Sequence, residues 1–192
     1  MRDLTKGSPA KQILLFALPI CLGNIFQLFY SLVDTRIVGQ YLGSESLAAV
    51  GATNSLNSML IGFLMGMTNG FAIIIARFFG AKEEKKLKKS VAATFLLGMI
   101  IAVGFTVGCL LLLRPILGWL NTPEEILPLS MRYIRIILAG MLLTMLYNAS
   151  AAILRAIGDT VTPLVFLVIS TVLNVFLDLL FVKMPVQIGK LI

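Results

Sequence analysis

The chain contains the apolar sequence LVFLVISTVLNVFLDLLFV at residues 164–182 and the apolar sequence ILLFALPICLGNIFQLFYSLVDTRIV at residues 13–38. Each sequence carries one acid, Asp178 in the former and Asp34 near the end of the latter. An ionised acid at the centre of a bilayer costs roughly 2.5–3.5 kcal/mol even on insertion scales, so intramembrane acids usually face a cavity and handle ions or protons. The two acids therefore predict a transporter, or part of one.

The composition indicates that the lipid bilayer surrounds most of the chain. Of its 192 residues, 58% are hydrophobic and 13% are charged, and the mean hydropathy is +0.97, values far from those of a soluble globular domain. Five apolar stretches reach or exceed the roughly 20 residues that cross the hydrocarbon. They are Lys11–Thr35, Leu47–Ala76, Ser90–Leu113, Leu127–Leu154 and Pro163–Val182. We predict an all-α membrane protein with five transmembrane helices.

The net charge of +7 indicates membrane topology rather than nucleic acid as a partner. With the N-terminus on the cytoplasmic side, ten of the 16 basic residues fall in cytoplasmic segments and six outside. The loop Arg77–Lys89 accounts for this excess, so we predict a multi-pass protein of the cell membrane with a cytoplasmic N-terminus. For this loop, a solvated charged helix end is preferred to lipid recognition, since Glu83 and Glu84 dilute its positive charge.

Polar side chains within the first and fifth spans recur at helical spacing. The first stripe consists of Asn24, Gln27, Ser31 and Asp34, and the second consists of Ser170, Asn174 and Asp178. Steps of three or four residues place each stripe on one helix face, and each stripe ends in an acid. Because polar groups in lipid need partners, we expect the two stripes to face each other across a protein-lined cavity.

The two acids are expected to lie in the same, outward half of the membrane, because the first and fifth spans run in the same direction. Two nearby carboxylates in a poorly hydrated pocket disfavour double ionisation, which equips the pair to hold and release a proton. With sodium present, their oxygens and the Asn174 amide would be ligands of a hard cation. We predict a cation-coupling site formed by Asp34, Asn174 and Asp178.

The remaining stripe residues, Asn24, Gln27, Ser31 and Ser170, are candidates for lining the cavity or binding substrate. The alternative is that the acids only tie helices together by hydrogen bonds, as intramembrane polar residues often do. Asn24 and Gln27 taken alone more often have that structural role.

The sequence lacks the groups on which most enzymes depend. It contains no histidine, and Cys21 and Cys109 both lie within apolar runs. These facts argue against a Cys/His zinc site, a Cys-His or Ser-His nucleophile and an imidazole proton relay. No Walker pattern occurs, so ATP is not the expected energy source. We predict that the protein is not an enzyme and has no cofactor beyond a coupling ion, H⁺ or Na⁺.

Short motifs between residues 3 and 178 resemble those of one transporter family. They are DLTKGSP at 3–9, LVDT at 32–35, VG at 38–39, LG at 42–43, LAAVG at 47–51, ARFFGAK at 76–82, ILRAIGDT at 153–160, TP at 162–163, LN at 173–174 and LD at 177–178. Each motif alone is weak. Their order and spacing together resemble the start of a multidrug and toxic compound extrusion (MATE) transporter.

The resemblance implies a twelve-helix secondary transporter of two six-helix lobes, which exports cationic, amphipathic drugs in exchange for protons or sodium. It places the family's first-span acid at Asp34 and the Asn and Asp of its fifth span at Asn174 and Asp178. An Asp at position 178 is similar to the DNA-damage-inducible branch, in which protons are commonly argued to drive export. Protonation of Asp34 would then reshape the first span and the lobe cavity and favour outward release of the drug.

The chain also departs from the family pattern. Members are much longer, and KMPVQIGK at residues 183–190 stands where a Gly-rich start of a sixth span is expected. On this interpretation the chain is most of one lobe, the N-terminal part of a truncated exporter. It would need the missing C-terminal lobe or a second chain, because the family alternates access by rocking one lobe against the other.

Two alternatives to the exporter remain open. One is a non-transporting fragment or assembly subunit. The other is a flippase of lipid-linked saccharides, which would require basic residues inside its cavity, whereas the span interiors offer almost none.

Overall fold

The computed structural model describes residues 8–41 and 43–183, which form six α-helices joined by short turns. The helices are α1 Pro9–Tyr41, α2 Gly43–Gly80, α3 Glu84–Trp119, α4 Leu127–Ala139, α5 Met141–Ala156 and α6 Val161–Lys183. Most of the DLTKGSP motif, Leu42 and the sequence from residue 184 onwards lie outside the described residues. The prediction of an all-α fold is confirmed.

Glycines with left-handed backbone conformation mark two of the connections. Gly43 has a φ of 84° between α1 and α2, and Gly158 has a φ of 89° between α5 and α6, values that other residues rarely tolerate. The N–H of Gly158 donates to the carbonyl of Arg155 (3.0 Å), and the N–H of Asp159 donates to that of Leu154 (2.9 Å). These bonds satisfy the last carbonyls of α5 and end the helix.

Four helices are each long and apolar enough to cross a membrane: α1 over Gln12–Ile37, α2, α3, and α6 over Val161–Asp178. The fourth apolar stretch, expected as one continuous span, consists of α4 and α5, which are bent by 47° at Gly140. The Gly140 carbonyl accepts both the N–H (3.0 Å) and the hydroxyl (3.2 Å) of Thr144. Counted as one bent span, α4 and α5 bring the total to five.

Residues 48–159 form one compact unit, the α2–α5 bundle, which has a closely packed apolar core. Its fully buried side chains include Leu60 and Leu64 of α2, Leu113 and Leu117 of α3, Ile134 and Leu138 of α4, and Met141 and Met145 of α5. The rings of Phe63 and Phe105 stack with centroids 4.5 Å apart and join α2 to α3. Gly98 of α3 faces Met145, because a Cβ at residue 98 would lie 1.8 Å from the Met145 Cε.

The second compact unit, the α1–α6 pair, combines α1 and the start of α2 up to Leu47 with α6. Gly23 is buried at the helix contact, where a Cβ would lie 3.4 Å from Leu167 Cδ2 and 3.6 Å from Leu164 Cδ1. Many large apolar side chains of the pair are exposed, as expected where lipid is the solvent. They include Leu14, Leu28, Phe29, Leu32, Phe166, Val172 and Phe176.

Candidate cation-binding site

The three residues predicted to couple a cation all lie in the α1–α6 pair. Asp34 lies in the C-terminal third of α1, and Asn174 and Asp178 lie on α6. Since residues four apart share a helix face, the Asn174 amide and the Asp178 carboxylate are neighbours on α6. Asp34 and Asp178 are partly buried and lie on two helices that pack against each other. The structure therefore places the two predicted acids on neighbouring helices.

Two oxygen atoms of this group are buried without a hydrogen-bond partner among the described residues. They are Asn174 Oδ1 and Asp178 Oδ2. A buried acceptor left unpaired costs about 1–3 kcal/mol, and more when it is charged, so each such atom in a native protein calls for an explanation. These atoms are acceptors for a proton or for a hard cation, which prefers oxygen ligands.

The residue types of the candidate site limit which ions it can bind. No cluster of three or more His, Cys, Asp or Glu side chains occurs within residues 8–41 and 43–183. The site therefore presents two carboxylates and one amide. This set suits a proton or a weakly held cation better than a tightly bound transition metal, which favours imidazole or thiolate ligands.

Other buried polar atoms without a described partner lie in or beside the helices of the bundle. They are Asn57 Oδ1, Thr106 Oγ1, Thr122 Oγ1 and Ser130 Oγ, all of them neutral groups. They are distributed over α2, α3, the turn after α3, and α4. In the α1–α6 pair, by contrast, an unpaired carboxylate oxygen and an unpaired amide oxygen are one helical turn apart, and this clustering distinguishes the candidate site.

The other polar residues of the two stripes are exposed. They are Asn24, Gln27 and Ser31 of α1 and Ser170 of α6. The backbone carbonyl of Ser31 accepts the hydroxyl of Thr35 at 2.8 Å. Exposure leaves the four side chains available to a ligand, and their role in the cavity or in substrate binding stays a prediction.

Gly23 shapes the pair but was not identified by sequence reasoning. It is buried beside Leu164 and Leu167 at the contact between α1 and α6. A signal was present, because Gly23 directly precedes Asn24 of the first polar stripe and small residues let transmembrane helices pack closely. The packing of α1 against α6 places the helices that carry the two acids side by side.

Known proteins similar to this chain are membrane transporters. The MatE family model matches residues 19–180, a range that includes Asp34, Asn174 and Asp178. Two relatives from Bacillus subtilis (strain 168) are named probable multidrug resistance proteins. YpnP is 32% identical over 181 residues, which cover 94% of this chain and 41% of YpnP. YoeA is 37% identical over 177 residues, which cover 90% of this chain and 37% of YoeA.

A solved structure agrees with these relatives. It is described as the outward-facing conformation of a multidrug resistance MATE family transporter of the MOP superfamily. It matches with a TM-score of 0.85 and 29% identity, covering 92% of this chain and 39% of the other. The chain thus spans about 40% of the length of the proteins it matches. The predicted family and the predicted fold class are confirmed. The chain is a multi-pass membrane protein and belongs to the MatE family, the multidrug and toxic compound extrusion (MATE) transporters.

Proposed function

We propose that this chain supplies the cation-coupling site of a secondary exporter, which moves cationic, amphipathic drugs or toxins out of the cell by proton or sodium antiport. The observation that carries the proposal is the pair of buried, unpaired oxygens on Asn174 and Asp178, next to the acid Asp34. Binding of a cation there would satisfy the acceptors and remove repulsion between two acids. The Bacillus relatives are named probable multidrug resistance proteins, which supports drugs as substrates.

Proton uptake is the simplest loading reaction for this site. A proton on either carboxylate removes one negative charge and creates an O–H donor, which can hydrogen-bond to one of the unpaired acceptors. Without the repulsion, α1 is free to move closer to α6 near Asp34. We infer that this movement reshapes the first span and the adjoining cavity and favours outward release of the drug. Loss of the proton then restores the repulsion and the starting conformation.

Sodium is the second candidate ion. The carboxylates of Asp34 and Asp178 and the amide oxygen of Asn174 are the kind of ligand that a hard cation prefers. A sodium ion would lower the repulsion between the acids in the same way as a proton. The two ions differ in one testable respect, because only proton coupling makes export follow the pH gradient at constant sodium.

We also propose an orientation and a partner for the chain. The excess of basic residues in the predicted cytoplasmic segments, ten against six, supports a cytoplasmic N-terminus in the cell membrane. Transporters built from repeated halves alternate access by moving one half against the other. The opposing half would come from further helices of a longer protein or from a second chain.

Dye export tests the coupling role directly. Cells that produce the transporter with Asp34→Asn or Asp178→Asn are compared with cells that produce it with Glu45→Gln, over a range of external pH. Asn keeps the side-chain shape but cannot take up the coupling proton, so we expect pH-dependent export to be lost in both Asp variants. Glu45 is an exposed acid at the start of α2, and its variant should export normally.

Two further measurements separate the ions and the alternatives. A sodium gradient imposed at constant pH should drive export only if sodium is the coupling ion. If both Asp variants export like the unchanged protein, the coupling proposal is wrong. If the complete transporter, which includes the opposing half, neither exports dye nor binds it in a cation-dependent way, the exporter proposal fails as a whole.

A further inference from the structure

The turn between α2 and α3 contains an open groove that the coupling mechanism does not use. The groove has a volume of about 500 Å³. Its lining includes three apolar side chains, Phe78, Phe79 and Leu87, and two lysines, Lys82 and Lys88. Apolar surface next to flexible ammonium groups suits a ligand with an apolar body and an anionic head.

The backbone of the turn holds these groups beside a helix N-terminus. Lys82 has a left-handed φ of 57°, and the N–H groups of Lys82 and Glu83 donate to the carbonyls of Phe79 and Phe78, both at 3.1 Å. The helix α3 begins at Glu84, and N–H groups in a first helical turn lack intrahelical partners. The positive end of the helix dipole favours an anion here.

One acid of the groove lining is paired with a lysine that lies outside this lining. Residues 77–89 contain six basic and two acidic side chains. One of the acids, Glu83, forms an ion pair with Lys86, whose Nζ lies 5.7 Å from the centre of the Phe78 ring. Within the groove lining, Glu84 is then the charge that opposes Lys82 and Lys88. The groove lining thus presents two lysines and one acid that is not in this ion pair, whereas the net charge of residues 77–89 is unchanged by the pairing.

The groove lies where a membrane-spanning helix ends. The side chains of Ile73 and Ile74, which precede the turn on α2, are 72% and 49% exposed. Exposed isoleucines on a helix long and apolar enough to span the membrane face lipid chains. Basic residues at such a boundary attract the anionic lipids of the cytoplasmic leaflet.

We propose that this groove binds the headgroup of an anionic phospholipid. Lys82 and Lys88 contact the phosphate, and Phe78, Phe79 and Leu87 contact the glycerol backbone and the first acyl carbons. An anionic phospholipid matches the positive charge of the turn, the apolar lining of the groove and the position of the groove at the end of a membrane-spanning helix. The inference does not depend on the exporter proposal, because it concerns a different part of the molecule.

Native mass spectrometry of the purified protein tests the proposal, with phosphatidylglycerol and phosphatidylcholine of identical acyl chains as the two probes. The variant Lys82→Gln/Lys88→Gln removes two charges from the groove lining. The matched control Lys85→Gln/Lys89→Gln removes two charges from the same turn, outside that lining. We expect the groove variant to lose about 10- to 30-fold in affinity for phosphatidylglycerol, and the control less than about threefold.

A third variant distinguishes a specific effect on lipid binding from the effect of misfolding. Glu84→Gln removes the opposing charge and should bind phosphatidylglycerol more tightly than the unchanged protein, a gain that misfolding cannot imitate. Equal affinity for the two lipids would overturn the proposal. So would equal losses in the two double variants, which would indicate diffuse surface charge. Inorganic phosphate that binds with the same dependence on Lys82 and Lys88, without further gain from a lipid, would show that a free anion is the ligand.

Discussion

The α2–α5 bundle and the α1–α6 pair bury different kinds of group. In the bundle, large apolar side chains such as Leu60, Leu64 and Ile134 are fully buried. At the contact within the pair, the buried groups include Gly23 and the unpaired oxygens of Asn174 and Asp178. Both units hold buried polar atoms without a described partner, but those of the bundle are neutral groups spread over several elements, whereas those of the pair include a carboxylate oxygen. The difference places the most costly kind of buried acceptor, a carboxylate oxygen, in the unit that holds the candidate site.

Hydrogen-bond chemistry explains why the polar residues of the two units behave differently. The hydroxyls of Thr53 and Thr68 in the bundle donate to the carbonyls of Ala49 and Leu64, four residues earlier, at 2.8 and 2.9 Å. A hydroxyl can use a carbonyl of its own helix in this way. An ionised carboxylate only accepts hydrogen bonds, and the N–H groups of a helix interior are already occupied. Asp178 therefore needs a donor or a cation from elsewhere.

The largest expected effect comes from placing an acid in the bundle, with Asn148→Asp. Asn148 is 9% exposed, and its Nδ2 donates to the carbonyl of Thr144 at 2.9 Å. The variant loses this donor and turns a buried carboxylate towards a carbonyl oxygen. We expect the free energy of unfolding to fall by about 3 kcal/mol or more, measured by unfolding of the purified protein in mixed detergent micelles.

The control for this variant is Asn148→Ala, which removes the hydrogen bond without adding a charge. It should cost about 1–2 kcal/mol. If the two variants lose the same free energy, the bundle tolerates an acid as well as the pair does. The proposed division between the two units would then be wrong.

The second-largest expected effect on stability comes from replacing a glycine of the bundle, and it is compared with replacement of a glycine of the pair. A Cβ at Gly98 in the bundle would lie 1.8 Å from the Cε of Met145, whereas a Cβ at Gly23 in the pair would meet Leu167 at 3.4 Å. We expect Gly98→Ala to destabilise the protein by about 1–3 kcal/mol, because Met145 must move within a packed core. Gly23→Ala should cost less than about 1 kcal/mol, since the added methyl group makes nearly ordinary contacts.

A double-mutant cycle checks the stated cause of the Gly98 effect. If Met145 is the obstacle, Gly98→Ala should cost much less in the background of Met145→Ala, which empties the space. Additive costs would show that the glycine is needed for another reason. The same unfolding assay serves all four proteins.

The sequence predicted the membrane class and the helical fold, because these depend on strong local signals. Long apolar runs have few alternatives to helices in a bilayer, and acids at helical spacing within them are conspicuous. The bend at Gly140 was not predicted, since a single Gly within a long apolar run does not by itself indicate that a helix breaks there. The contact between Gly98 and Met145 was also missed, because it requires knowing which faces of α3 and α5 meet.

In the candidate site as well, the sequence predicted what depends on spacing within one helix but not what depends on contacts between helices. Spacing alone grouped Asn174 with Asp178, and the structure gives both a buried, unpaired oxygen. Spacing also grouped Asn24, Gln27 and Ser31 with Asp34, yet these three are exposed while Asp34 is partly buried. A periodic stripe identifies a helix face, but the position of the neighbouring helix determines which part of that face is buried.

The smallest expected change in stability comes from Asp178→Asn, the reverse of the substitution in the bundle. The amide has nearly the shape of the carboxylate, and it removes both a buried charge and the repulsion with Asp34. We therefore expect the free energy of unfolding to stay within about 1 kcal/mol of the unchanged protein, or to rise slightly, while pH-dependent export is lost. The same variant would then keep its free energy of unfolding but lose pH-dependent export. A fall of several kcal/mol would instead show that Asp178 holds α1 and α6 together, and the loss of export would carry no information on coupling.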